Sequence, residues 1–366
     1  MNNLQFTEER WQRVERDTIN WWNGELDRPL VYISVTGPVA QPRPYGYQSN
    51  YPLDLPAETV AELYAPWLAA IRFYGDAFPW FWINYGAGIL SGFTGGRVNS
   101  VTEPSETVWF NPPGDPVPIA DLDLKFDPEN IYWRRVQDLT RAFVERFGSG
   151  LQVSHTDLGG NMDIIASFTT TQQLLIDLIE QPEAVSRAAE MVTDLWLRYY
   201  DALDAIIRPA SRAACRGTSA WTPIWSPSRT YMLQSDFAYM ISPKMFERFV
   251  LPDLTRICDR LDHAFYHLDG KGQIAHLDHL LSIARLHGIQ WIPGDGQPSP
   301  DRWLPLLKRI RDGGKLCQVF VTPEGALRIA RELGGKGFLF VVDGGGDFHQ
   351  PEQIEAFLDR IYSEEV

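Results

Sequence analysis

Cysteine is scarce in this chain. Three residues in 366 (Cys215, Cys258 and Cys317), odd in number and without CxxC spacing, exclude a disulfide framework and a zinc ribbon and fit a reducing compartment. Basic charge is also short: 33 Lys and Arg against 47 acidic residues leave a formal charge of −14 with no clustered basic run. That balance excludes sequence-independent nucleic-acid binding and an anionic-membrane surface, both of which need grouped Lys and Arg. The N-terminus, MNNLQFTEERWQRVERD, has no apolar core followed by a small-residue cleavage site, so a signal peptide is not expected and a cytoplasmic location is. A clean membrane span is missing too. Ala77 to Gly96 carries no charge, but Pro79, Asn84 and repeated glycines read as a strand followed by a Gly-rich loop. Walker and Rossmann motifs are absent.

What is present is a large apolar fraction, 44%, with no Ser/Gly linker or composition break. The expectation is one domain over 1–366, with 1–27 as an N-terminal helical extension packing across the exterior or floor. Short β-type runs alternate with helical patterns over the last hundred residues: strands at 264–268, 289–293, 317–321 and 337–342, helices near 273–285 and 300–312 and from 323 and 351. Thr322-Pro323-Glu324 supplies a helix start, and Gly288, Gly313-Gly314 and Gly334-Gly335 read as helix ends. Upstream, strands are predicted at 31–35, 80–83, 151–155 and 212–217, and helices near 57–75, 128–147, 182–206 and 243–262. About eight β/α units predict an α/β protein with a closed (β/α)8 TIM barrel; an open doubly wound sheet is the alternative. The segment from Gly37 to Pro56 reads as a cover over the active site.

Barrel enzymes draw their reactive groups from strand C-termini, and the residues there are polar. His267-Leu-Asp269 follows a strand, with both side chains on one side. They could bind a metal or act as base and orienter; alternatively Asp269 caps the next helix and His267 is packed. His155, Asp157, Asn161 and Asp163 surround Gly159-Gly160, a turn that allows close backbone approach to a ligand or is an ordinary Asx-rich loop. Asn84, Arg216, Asp295 with Gln297, and Thr322 with Glu324 follow other strands. Asp343 precedes three glycines that could form an anion nest. Trp221 and Trp225 could wall a substrate pocket. His276 and His279 read as solvated or peripheral, Cys317 as lying at the barrel floor, and Cys258 on an exterior helix.

Several stretches together resemble the uroporphyrinogen decarboxylase superfamily, which also contains cobalamin-dependent methyltransferases. They are RPLVYISV, GGNMDIIASF, LQSDFAYMISPKMFERFVLPDLTRI, HLDG, IQWIPGDGQP and GFLFVVDGGGDFHQPEQIEAFLDRI. The resemblance runs almost end to end and implies a cytoplasmic (β/α)8 barrel with a deep cleft at the strand C-termini, often homodimeric. The family's arginine-rich loop after the first strand is reduced to Arg43, its catalytic aspartate is matched by Asn84, and its final-loop histidine by Gly345. Porphyrinogen decarboxylation is therefore not expected. The methyltransferase branch's His-x-Cys zinc ligands are matched by His267-x-Asp269, and the further cysteine of its last loop is missing, since only Asp343 and glycines stand there. A thiolate zinc site is thus not expected; His267 and Asp269 could still hold a divalent metal weakly, or the acids could bind a pterin as hydrogen-bond acceptors.

The leading expectation is a methyltransferase-like enzyme acting on a small-molecule substrate, with a corrinoid protein or a folate as methyl partner. Its catalytic set is His267, Asp269, Asp157 and Asp343, and its binding set is His155, Asn161, Asn84, Arg216, Trp221, Asp295 and Gln297. The alternatives are a lyase or decarboxylase with Arg216 or Arg229 clamping a substrate carboxylate, and a non-catalytic ligand-binding barrel.

Overall fold

The apolar runs of the C-terminal third form four parallel strands, each followed by a helix. The computed structural model describes residues 4–39, 44–102, 106–209, 215–343 and 348–363. Its strands are β1 (Leu30–Thr36), β2 (Ile71–Gly75), β3 (Trp80–Trp82), β4 (Arg97–Val101), β5 (Thr107–Asn111), β6 (Gln152–Ser154), β7 (Thr230–Leu233), β8 (His263–Asp269), β9 (Leu286–Ile292), β10 (Leu316–Val321) and β11 (Phe338–Val342). Seven of them form one sheet in the order β2-β1-β11-β10-β9-β8-β7, every neighbour parallel except β2 against β1. β3 pairs parallel with β6, and β4 with β5 as an antiparallel hairpin. One apolar core runs from Trp11 to Ile361, so elements from both ends of the chain share a single dry interior. No described helix is long and apolar enough to cross a membrane.

The molecule is thus mixed α/β with a mostly parallel sheet, and the expected closed ring of strands is not found among the described residues. Two local features interrupt the pairing. β2 turns back antiparallel along β1 and takes the edge where a next parallel strand would pair. The segment 217–219 meets β6 and β7 through scattered bonds rather than a ladder: Gln152 Nε2 donates to Gly217 O (3.1 Å), His155 N–H just after β6 to Ser219 O (3.0 Å), and Thr230 N–H to Thr218 Oγ1 (3.1 Å).

Other expectations shift as well. The helix predicted over 57–75 is Ala57–Ala70, because alternate residues of Ile71-Arg-Phe-Tyr-Gly75 are buried with the strand period of two. The strand predicted at 212–217 lies partly outside the described residues, and Cys215 to Gly217 are not in a strand; the strand used is β7, four fully buried residues further on. The helix predicted over 243–262 is two, Pro243–Phe249 and Leu251–Arg260. Gly288 ends no helix but lies within β9, where an added Cβ would fall 2.0 Å from the Phe265 ring.

The N-terminal helix Glu8–Trp22 crosses the N-terminal ends of the strands. Trp21 Nε1 donates to Phe338 O (3.1 Å) at the start of β11, and Trp22 stacks on His263 at the start of β8 with centroids 4.3 Å apart. Cys317 near the start of β10 and Cys258 are buried, which pushes both thiols up to about 12 and leaves them un-ionised.

Candidate functional site

Strand β8 delivers His267 and Asp269 to its C-terminal end on the same face, and the loop after β7 brings Asp236 beside them. Potential ligand atoms of Asp236, His267 and Asp269 all lie within 4.8 Å of one another. The histidine is oriented from behind. Its Nδ1 is hydrogen-bonded to Gln290 Oε1 on β9, and Gln290 Nε2 donates to Gln318 Oε1 on β10 (2.6 Å) and to Thr222 Oγ1 (3.3 Å). An amide oxygen can only accept, so Nδ1 is the donor, and it is the Nδ1–H tautomer of the neutral ring that offers a lone pair at Nε2. Trp221 stands edge-on to the imidazole at 5.1 Å and limits its rotation.

Two more acids sit behind this trio. Asp163, at the start of the helix Asn161–Thr169, accepts the N–H groups of Asp236 (3.0 Å) and Phe237 (2.6 Å), fixing the loop that carries Asp236. Burial and the Asp236 charge raise its pKa. Asp157 is buried, accepts from Gly159 N–H (2.9 Å) and Gln234 Nε2 (3.2 Å), and is pushed up to about 8 by burial first and by Asp236 and Asp163 besides. Asp236 is itself raised by burial and Asp269, against the pull of His267. Crowding of this kind disfavours the ionised carboxylates, and a divalent cation beside them would relieve it. The donor set of one imidazole and carboxylates suits a hard or borderline ion, with no thiolate among the described residues near it. Asp295 and Gln297 join Asp269 around an open recess of about 460 Å³.

The remaining sequence candidates are placed elsewhere. His155 is fully buried, stacked on Tyr200 at 4.3 Å with Nε2 3.6 Å from Asp204, and burial lowers its pKa; it is a core residue and not part of the rim. Arg216 is at the opposite end from the trio, paired with Glu8 and Glu15 of the N-terminal helix and donating to Ser149 O (3.0 Å). Arg229 pairs with Asp201 and Asp204. Neither arginine is placed to clamp a substrate at the trio. Asn161 donates to Thr193 Oγ1 (2.5 Å) within a helix interface beside Asp253, which burial pushes up to about 6. Asn84 is spent on backbone: Nδ2 donates to Gly46 O (3.1 Å), and Oδ1 accepts from Gly86 N–H (3.0 Å). It thereby holds the described part of the expected cover.

Gly159 does make a close backbone approach, but to protein. At φ +85° its added Cβ would meet Gly88 Cα at 2.5 Å, so the glycine pair joins two loops. His276 is buried rather than solvated, stacked on Phe246 at 4.4 Å and bonded to Ala238 O (2.8 Å). Thr322 caps its helix by accepting from Gly325 N–H (3.1 Å). Trp225 is buried, its carbonyl accepting from Trp22 Nε1 (2.9 Å). Arg43 and the three glycines after Asp343 lie outside the described residues. Asp343 itself lines a second cleft, of about 360 Å³, which shares no lining residue with the recess beside Asp269.

No protein-family profile matches this chain, and no curated protein matches it. Eleven chains of solved structures do match. One is a methyltransferase from Methanosarcina mazei, 13% identical, covering 96% of this chain and 99% of its own, with a TM-score of 0.62. At that identity the two share a fold.

Proposed function

We propose that this protein is a methyltransferase-like enzyme whose small-molecule substrate binds at the C-terminal ends of the strands, beside a divalent cation held weakly by Asp236, His267 and Asp269. The convergence of those three groups within 4.8 Å carries the reading, and the shared fold of a methyltransferase supports it. Asp157, Asp295 and Gln297 complete the proposed site, with Trp221 as its wall. A bound cation would supply Lewis acidity, lowering the pKa of a substrate hydroxyl, thiol or amine. Gln290 keeps His267 in the tautomer that leaves Nε2 available, Asp163 positions Asp236, and Asp157 holds a proton close by. The superfamily resemblance adds a corrinoid protein or folate as methyl partner, a homodimer, a cytoplasmic location, and one domain in which the strands complete a (β/α)8 barrel. The lyase reading loses support because Arg216 and Arg229 are both engaged in ion pairs away from the trio.

The test is methyl transfer by purified protein supplied with Mn²⁺ or Zn²⁺ and methylcobalamin, against a panel of thiols, phenols and tetrahydrofolate, followed by absorbance. Activity should vanish on chelation and in His267→Ala, and should fall by roughly 10–100-fold in Gln290→Ala. Turnover indifferent to both chelation and His267→Ala would remove the proposed site.

A further inference from the structure

Asp236 opens a short helical turn, Asp236–Met240, in a different loop from the strand that carries His267 and Asp269. Its position is nevertheless set from that strand. The chain leaving Asp269 bends at Gly270, at φ +74°, into a second helical turn, Lys271–His276, whose side chains reach back to the Asp236 loop. Gln273 Nε2 donates to Ser235 O (3.1 Å), the carbonyl just before Asp236, and His276 Nε2 donates to Ala238 O (2.8 Å), two residues beyond it. The Tyr239 ring lies against Gly270 and Gly272, where an added Cβ would fall 2.9 and 2.8 Å from ring carbons. The two turns are thus closed on each other, with no room for a side chain at either glycine.

Gln273 is anchored in its turn. Its N–H donates to Gly270 O (3.1 Å), and its Oε1 accepts from the hydroxyl of Tyr266 (2.9 Å), the buried neighbour of His267 on β8. One buried amide therefore connects the strand of two ligand groups to the loop of the third. His276 is 1% exposed, stacks on Phe246 at 4.4 Å, and has an Nδ1 that is buried with no hydrogen-bond partner among the described residues. An unpaired buried nitrogen costs stability that a leucine in the same space would not lose, so what the histidine contributes is its bond to Ala238 O. Asp163 holds the N–H side of the same loop, and Gln273 and His276 hold its carbonyl side. We infer that Gln273 and His276 are positioning residues of the cation site, fixing Asp236 against the strand that bears His267 and Asp269 so that the three groups converge before an ion arrives. The role rests on the proposed function for its cation.

The experiment is calorimetric titration of Mn²⁺ into chelator-treated wild type, His276→Leu, His276→Gln and Gln273→Leu, with urea unfolding of each metal-free protein alongside. Leucine keeps bulk without a donor, whereas glutamine puts an amide N–H close to where Nε2 stood. Affinity should fall roughly tenfold or more in both leucine variants and be largely restored in His276→Gln. The urea midpoint of His276→Gln should stay below wild type, because glutamine does not replace the ring stacked on Phe246. If His276→Leu does not fold, Gln273→Leu carries the same comparison. Affinity that merely follows the urea midpoint across the variants, or wild-type affinity in the leucine variants, would overturn the role and leave the cation site standing. Wild type that takes up no Mn²⁺ would reject the cation site and the role together.

Discussion

Replacing Asp157 with asparagine should stabilise the protein, and do so only where the carboxyl is under pressure to ionise. The side chain is 4% exposed, accepts one backbone and one amide hydrogen, and sits near two other acids. Its pKa rises from 3.8 to about 8 on folding, so between those pH values the folded state binds a proton that the unfolded chain has released. Stability contributed by the protonated form is therefore complete at low pH, erodes as pH rises through this window, and levels off above about 8. At about 1.4 kcal/mol per pH unit, the interval from 3.8 to 7 corresponds to roughly 4 kcal/mol as an upper bound. Asparagine keeps the accepting oxygen and never ionises. Urea unfolding of Asp157→Asn and wild type at pH 4 and pH 7 should give a difference near zero at pH 4 and about 2–4 kcal/mol in favour of the variant at pH 7. The same difference at both pH values, or a larger one at pH 4, would refute the reasoning.

The floor of the sheet should show the opposite trend. Burial and the neighbouring His287 push His263 down to about 4, so its contribution is present above the unfolded value of 6.5 and lost as pH falls toward 4; His263→Gln should flatten that slope in urea unfolding between pH 6.5 and 4. Arg216→Ala removes ion pairs to Glu8 and Glu15 and the contact with the Trp11 ring, and should cost about 1–2 kcal/mol by urea unfolding. Metal titration of that variant should match wild type, and a loss of metal affinity would contradict the placement of Arg216 at the end opposite the trio.

The C-terminal third was legible because its strands are buried on both faces and its helices are punctuated, so apolar runs and caps coincide, as at Thr322-Pro323-Glu324. That regularity located the ends of β8 and β9, and with them His267, Asp269, Asp295 and Gln297. Upstream the signal weakened. β3 and β6 are three residues long and β7 four, too short for periodicity to show. A strand at 212–217 makes Arg216 a strand-end residue, whereas the strand is Thr230–Leu233, and the acid that follows it is Asp236, within the LQSDFAYMISP stretch. A strand assigned to the buried TYML run would have exposed it. His155 follows a strand as read, but its side chain turns into the core toward Tyr200, a contact set by the long helix Pro182–Ile207 that no local pattern encodes. The cleft that Asp343 lines was likewise invisible, since its walls come from segments nearly 280 residues apart, Phe73 and Phe348 among them.

The central claim is that Asp236, His267 and Asp269 hold one divalent cation, and titration of Mn²⁺ or Zn²⁺ into chelator-treated protein at pH 6 and pH 8 tests it most directly. The account predicts one site per chain, removable by chelator, with binding no weaker at the higher pH because Asp236, whose pKa burial and Asp269 raise, takes the ion only as the carboxylate. Affinity should be lost in both His267→Ala and Asp236→Asn. Binding that survives both substitutions, or that is lost only in Cys317→Ser, would contradict it.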